Sequence, residues 1–93
     1  MKFEFDPAKS ASNQLKHGLD FTAAQALWRD GKRLRVPAKT AGAEMRYAVL
    51  GRIAGRMHTV IITYRGAAIR IISARPSSPA EIAAYEKHQK QNS

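Results

Sequence analysis

The sequence predicts an α+β domain: a twisted, mainly antiparallel sheet with helices packed on one face, in the order β-α-α-β-β-β-β-α. Three observations lead there. A chain of 93 residues suits one domain, residues 1–93, around a single modest core. Apolar residues recur at helical spacing before Gly31 and at every second position from Lys32 onward. The connections between the later strands are short, which favours antiparallel hairpins over crossovers. Helices on one face would leave the opposite face, or an end of the sheet, to display the arginines.

Lys2–Phe5 alternates, with Phe3 and Phe5 on one side and Lys2 and Glu4 on the other, and reads as a short strand. Asp6-Pro7 is a helix start, because Asp accepts from free N–H groups and Pro suits the first helical position. Ala8, Ala11 and Leu15 follow as its apolar stripe, and Gly18 stops it. A second helix is expected from Asp20, with Phe21, Ala24, Leu27 and Trp28 inward and Asp30-Gly31 at its end. Leu34 and Val36 then alternate with Arg33 and Arg35 until Pro37 ends the run, and Ala38–Ala43 is expected as a connection. Glu44–Arg52 is the next strand, with Glu44, Arg46, Ala48, Leu50 and Arg52 on one face. Ala54-Gly55 turns the chain into Met57–Tyr64, and Arg65-Gly66 turns it into Ala68–Ser73. Ser78-Pro79-Ala80-Glu81 is a capping box that opens a closing helix, with Ile82 and Tyr85 inward. The polar tail from Lys87 to Ser93 is expected to fray.

Charge narrows the function. Sixteen Lys and Arg against seven Asp and Glu give a net charge of +9. From Arg29 to Arg75 there are eleven basic residues and two acidic ones, Asp30 and Glu44, while the flanks cancel. Most of those cations are Arg, the side chain suited to bidentate phosphate or carboxylate contact. A polyanionic partner is expected: nucleic acid, or a strongly acidic protein. The absence of cysteine excludes disulfides, thiol catalysis and Cys-based zinc sites, and fits a cytoplasmic protein. No segment has the length of a membrane span, and Met1–Phe5 does not open a signal peptide. No phosphate-binding Gly-rich motif is present, and His17, His58 and His88 lack ligand spacing, so neither a cofactor nor a metal is expected.

The remaining Arg, Lys, His, Glu and Tyr suit phosphodiester cleavage without a metal. A base takes the proton from a ribose 2′-hydroxyl, cations stabilise the phosphorane, and an acid protonates the leaving 5′-oxygen. His17, Glu44 and Tyr64 are the candidates for proton transfer, with no order among them. Arg46, Arg70 and Arg75 are the candidates for phosphate stabilisation, and Lys16, Arg33, Arg35 and Arg65 for RNA contact. Each has a structural alternative. Lys16 and His17 suit the carbonyl end of the first helix. Glu44 is spaced to pair with Arg46, and Arg70 and Arg75 to pair with Glu81 or Glu86. Tyr64 stacks on a base or packs at a strand edge.

Phe3-Glu4-Phe5-Asp6-Pro7 with Lys9 and Asn13, then Lys16-His17-Gly18 and Phe21, resembles the N-terminal signature of the BrnT family of toxins. Gly42-Ala43-Glu44-Met45-Arg46 with Gly51, Thr63-Tyr64-Arg65-Gly66, Arg70-Ile71-Ile72-Ser73-Ala74-Arg75 and Tyr85-Glu86 extend the resemblance in order along nearly the whole chain. It implies a bacterial type II toxin of RelE-like fold, a ribonuclease that blocks translation. It also implies a BrnA-like DNA-binding antitoxin, with operator DNA reached only through the toxin–antitoxin complex. The reading from a different class is a non-catalytic basic module that binds nucleic acid or an acidic protein.

Overall fold

A single five-stranded sheet organises residues 1–91, the part that the computed structural model describes. Its strands are β1 (Lys2–Glu4), β2 (Leu34–Ala41), β3 (Glu44–Ile53), β4 (Arg56–Arg65) and β5 (Ala68–Pro76). Its helices are α1 (Pro7–His17), α2 (Phe21–Ala24), which runs on as a 3₁₀ turn over Gln25–Arg29, and α3 (Pro79–Gln91). The spatial strand order is β1-β5-β4-β3-β2. β2 to β5 form an antiparallel meander, and β1 joins it parallel to β5, so the sheet is mixed.

The hairpins follow from local chemistry. Gly42-Ala43, Ala54-Gly55 and Gly66-Ala67 each link strands across two residues. The β2–β3 hairpin is therefore tighter than expected, because β2 continues through Pro37 to Ala41. Proline lacks a ladder donor, but β2 is an edge strand and needs none on its outer side. A register shift between Ala38 and Ala41 absorbs the irregularity.

Helices cover both faces, which corrects the expectation of one. On one face, Phe21, Leu27, Val60, Ile62 and Ile71 are almost wholly buried against one another, beneath α1, α2 and the 3₁₀ turn. Full burial of side chains of this kind stabilises by roughly 1.5–3 kcal/mol each. Val49 of β3 belongs to this set, while its neighbours Ala48 and Leu50 instead pack against Tyr85 of α3. Both sets are apolar because the central strands lie between two helical layers. We refer below to the α1 face and the α3 face.

α1 also departs from its expected stripe. Ala8 and Ala11 are exposed, Leu15 is 90% exposed, and the buried residues are the polar Ser10 and Asn13. Ser10 Oγ accepts from the Phe21 N–H at 2.8 Å. The Asn13 amide donates to the carbonyls of Leu19 at 2.6 Å and Ala74 at 2.8 Å, and its Oδ1 accepts from the Ala74 N–H at 3.3 Å. β1 pairs with β5 only as far as Arg70, and Asn13 binds the backbone of β5 beyond that point. At the other end of the chain, the polar run from Lys87 continues as helix up to Gln91. The rest of the tail expected to fray, residues 92–93, lies outside the described residues.

Candidate functional site

The sheet sorts the candidate residues onto two faces and one helix end. Within β3, Glu44 and Arg46 share the α3 face with Ala48 and Leu50. Within β4, Thr63 and Arg65 point to that face while Tyr64 points to the α1 face with Ile62. Glu44 and Tyr64 therefore stand on opposite sides of the sheet.

α3 covers only part of its face, and beyond it a charged row crosses four strands. Glu4 of β1 pairs in register with Arg70 of β5, and Arg70 with Thr63 of β4. Arg46 of β3 stands one residue past the Tyr47–Ile62 pair, next to Thr63. The Arg70 guanidinium donates to Glu4 Oε2 at 2.8 Å, both side chains being about two-thirds buried (28% and 36% exposed). Glu44 and Arg65 adjoin the row and approach to 3.8 Å, a loose and exposed pair. Thr63 is buried and donates to the Met45 carbonyl at 2.8 Å, which pins β3 to β4 beneath the row.

Arg46 is the exception in this row. Among the described residues it has no ion-pair partner, and its Nε is buried with no acceptor. Buried donors are normally satisfied, so a guanidinium N–H left open beside four other charged groups is free to take an acceptor from outside the chain, a water or an anion.

Arg75 lies on the same face but in a different setting. Its guanidinium forks onto both oxygens of Glu81 at 2.7 and 2.9 Å, at the start of α3. The Glu81 carboxylate also accepts the Ser78 N–H at 2.8 Å, and Ser78 Oγ accepts the Glu81 N–H at 3.2 Å, completing the capping box. The bond from Arg75, together with those from Ser78 and Thr59, holds the Glu81 carboxyl down at about 2 against its burial.

On the α1 face, Arg33, Arg35 and Tyr64 border a cleft of about 430 Å³ that also touches Trp28, Gly31 and Ile69. Arg35 donates to Tyr64 Oη at 2.8 Å, and this bond holds the guanidinium firmly in its charged form. The same guanidinium stands 4.9 Å from the Tyr47 ring centre and 5.7 Å from that of Tyr64. Lys16 and His17 are exposed at the end of α1, where Gly18 takes the left-handed conformation that stops the helix (φ 71°). Among the described contacts, none connects Lys16 or His17 to either group of arginines.

Two residues that matter were not singled out from the sequence. Glu4 stands in the sequence as the polar side of a short strand and as part of the Phe3–Pro7 signature, with no role attached. Asp30 was read as the end of a helix, yet its carboxylate accepts from the N–H groups of Lys32 at 2.8 Å and Arg52 at 2.9 Å and from Tyr85 Oη at 2.8 Å. It thereby ties the 3₁₀ turn, β3 and α3 together at one end of the sheet. Burial pushes its pKa up, but the donors outweigh that and leave it below the ordinary carboxylate value. An Asp just before a Gly at a helix end was the only local signal.

No helix among the described residues is long and apolar enough to cross a membrane. A search of curated proteins gives no match. Residues 5–81 match the family described as the ribonuclease toxin BrnT of type II toxin–antitoxin systems, a span that includes Arg33, Glu44, Arg46, Arg70 and Arg75. By that match over most of its length, the chain belongs to the BrnT family of ribonuclease toxins.

Proposed function

We propose that the protein cleaves RNA on the uncovered part of the α3 face, by attack of a ribose 2′-hydroxyl on the adjacent phosphate, and that it inhibits translation in this way. The observation that carries the reading is Arg46, a guanidinium with an unsatisfied buried Nε–H, set between the Glu4–Arg70 and Glu44–Arg65 pairs. A phosphate oxygen would satisfy it. Arg46 and Arg70 would meet the charge that grows on the phosphorane, and donors fixed before the reaction stabilise that charge most. Glu44 is the choice for proton transfer from the 2′-hydroxyl, since its pairing with Arg65 is loose and its side chain is 37% exposed. As the P–O2′ bond forms, the P–O5′ bond breaks and the leaving 5′-oxygen takes its proton from solvent. Tyr64 lies on the other face and takes no part in this step. Arg75 is occupied by Glu81 and is read as the anchor of α3. His17 and Lys16 are assigned to the RNA path outside the row.

The reaction is drawn without a metal, as chemistry that the Arg and Glu side chains and the ribose 2′-hydroxyl can carry between them. A RelE-like architecture, residence in the cytoplasm and neutralisation by a BrnA-like antitoxin complete the proposal, with operator DNA met only in that complex. The family carries these expectations.

The test is cleavage of a synthetic RNA by purified protein in EDTA, with end-group analysis of the products. A 2′,3′-cyclic phosphate, or its hydrolysis product, is expected. Arg46→Ala should lower kcat by roughly 10²–10³ with a much smaller change in KM, because the lost contact is strongest in the transition state. Glu44→Gln should cost on the order of 10²–10⁴ in rate. Folded variants that cleave as fast as the parent would remove the row from the mechanism. In bacteria, induction of the chain alone should arrest growth and protein synthesis, and co-expression of its antitoxin should restore both.

A further inference from the structure

We propose that the cleft on the α1 face is a second RNA contact, which binds one nucleotide unit with its phosphate on Arg33 and Arg35 and its base against the aromatic side chains. The proposal rests on the reading that RNA is the substrate, but not on which residues cleave it.

The argument begins with charge. Arg65, Arg70 and Arg75 each have a carboxylate partner. Among the described residues, Arg33 and Arg35 have none. Arg33 reaches only backbone carbonyls, Trp28 at 3.4 Å and Asp30 at 3.3 Å, both long bonds. The nearby Asp30 carboxylate faces Lys32, Arg52 and Tyr85 instead. Arg35 donates to the Tyr64 phenol and otherwise meets the neutral rings of Tyr47 and Tyr64. Among the described residues, no carboxylate side chain lines the cleft. Two guanidiniums two residues apart on one side of an edge strand repel each other, and an anion between them relieves that repulsion. Phosphate matches the donor fork of arginine.

The rest of the lining excludes a bare anion as the natural ligand. Trp28, Val49 and Ile69 form an apolar wall, and Tyr64 is 43% exposed at the rim. Tyr47 and Tyr64 contact each other at 5.5 Å with their planes tilted by 57°, and Arg35 lies over both. Aromatic faces beside arginines are the usual platform for single-stranded RNA, where base stacking is worth about 1–3 kcal/mol. A cleft of about 430 Å³ is within the size range of small-ligand sites. The cleft and the Arg46 row lie on opposite faces, with the β2 edge between them, so one strand of RNA passing around that edge would reach both.

Trp28 is the only tryptophan in the chain and lines the cleft, so its fluorescence reports on occupancy. The experiment titrates the full chain with AMP, UMP, uridine and inorganic phosphate at fixed ionic strength. A saturable change with AMP or UMP is expected, with uridine and phosphate at least tenfold weaker. Arg33→Gln and Arg35→Gln should each weaken nucleotide binding about tenfold, whereas Arg56→Gln, at the exposed start of β4, should not change it. On a long single-stranded RNA the two cleft variants should raise KM about tenfold, with the smaller part of the effect in kcat. Circular dichroism checks that the variants are folded, and Arg35→Lys, which keeps the charge but loses the fork, should fall between. The proposal is overturned if wild-type Trp28 fluorescence does not respond to nucleotides, or if phosphate binds as well as AMP. It also fails if an acidic peptide binds there and nucleotides do not displace it, or if Arg35→Gln abolishes kcat with KM unchanged, which would make the cleft the reaction centre. Nucleotide binding without RNA cleavage by the parent would sustain the cleft and defeat the catalytic reading alone.

Discussion

Asn13 shows how one side chain can replace an apolar contact surface. α1 presents no large buried hydrophobic residue of its own, and its dock onto β5 depends on an amide with three backbone partners. Removing a buried amide strands the groups it served, and each stranded group costs about 1–3 kcal/mol. Asn13→Ala should therefore destabilise the protein by roughly 2–4 kcal/mol in urea unfolding, while Ala11→Ser on the exposed side should be close to neutral. Equal stabilities would show that α1 is held by something other than Asn13. Gly51 is a second such position. A Cβ there would come within 2.9 Å of Leu27 Cδ2 and 3.1 Å of its Cγ, so any larger residue would force the buried Leu27 side chain to shift.

α3 is held differently from the other elements. Tyr85 is its one buried residue, and Gln89 adds a single bond to the Lys32 carbonyl at 3.0 Å. Its attachment to β5 is the Arg75–Glu81 fork. Glu81 has an ordinary value of 4.5 and is held at about 2 in the fold, so the folded chain binds fewer protons than the unfolded one across that interval. The stabilisation is complete above pH 4.5 and disappears as the pH falls through 2. Arg75 is 39% exposed, so after solvent screening the contribution is on the order of 1 kcal/mol. Glu81→Gln should lose about that much at pH 7 and should show a shallower loss of stability between pH 4.5 and 2 than the parent. Asp30, also shifted downward, titrates in both proteins and cancels in the comparison. Parallel stability curves would contradict the assignment.

The whole molecule carries its excess charge on a sheet with arginines on both faces. RNA that met the Arg46 row and the α1-face cleft would release counterions at every phosphate contacted. Binding should then weaken steeply with salt, with a log–log slope of about −0.7 per phosphate on single strands. Loss of the cleft arginines should reduce that slope by about one unit at most, and loss of Arg46 should reduce it by a similar amount. A salt-independent affinity would mean that the charge of +9 serves another partner, and an acidic antitoxin surface is the first to examine.

The elements were legible because their determinants lie within a turn of the residue concerned. Asp6-Pro7, Ala54-Gly55 and the Ser78–Glu81 box act through backbone groups two or three residues away, and all three are seen. The alternation of β3 likewise placed Glu44 and Arg46 on one face before any fold was known. Which layer each face would meet was not legible, because alternation is the same whether one side or both are covered. The stripe of α1 was misread for a related reason. A polar residue is excluded from burial only if it lacks partners, and those of Asn13 lie 6 and 61 residues away. Charge pairing had the same limit. Arg70 finds Glu4 across 66 residues, Arg35 finds Tyr64 across 29 and Tyr85 finds Asp30 across 55. Composition established that the arginines exceed the carboxylates. Strand order and register settled which arginines would be neutralised and which left open, since ion pairs form between neighbours in space and a five-stranded sheet makes those neighbours from distant parts of the chain.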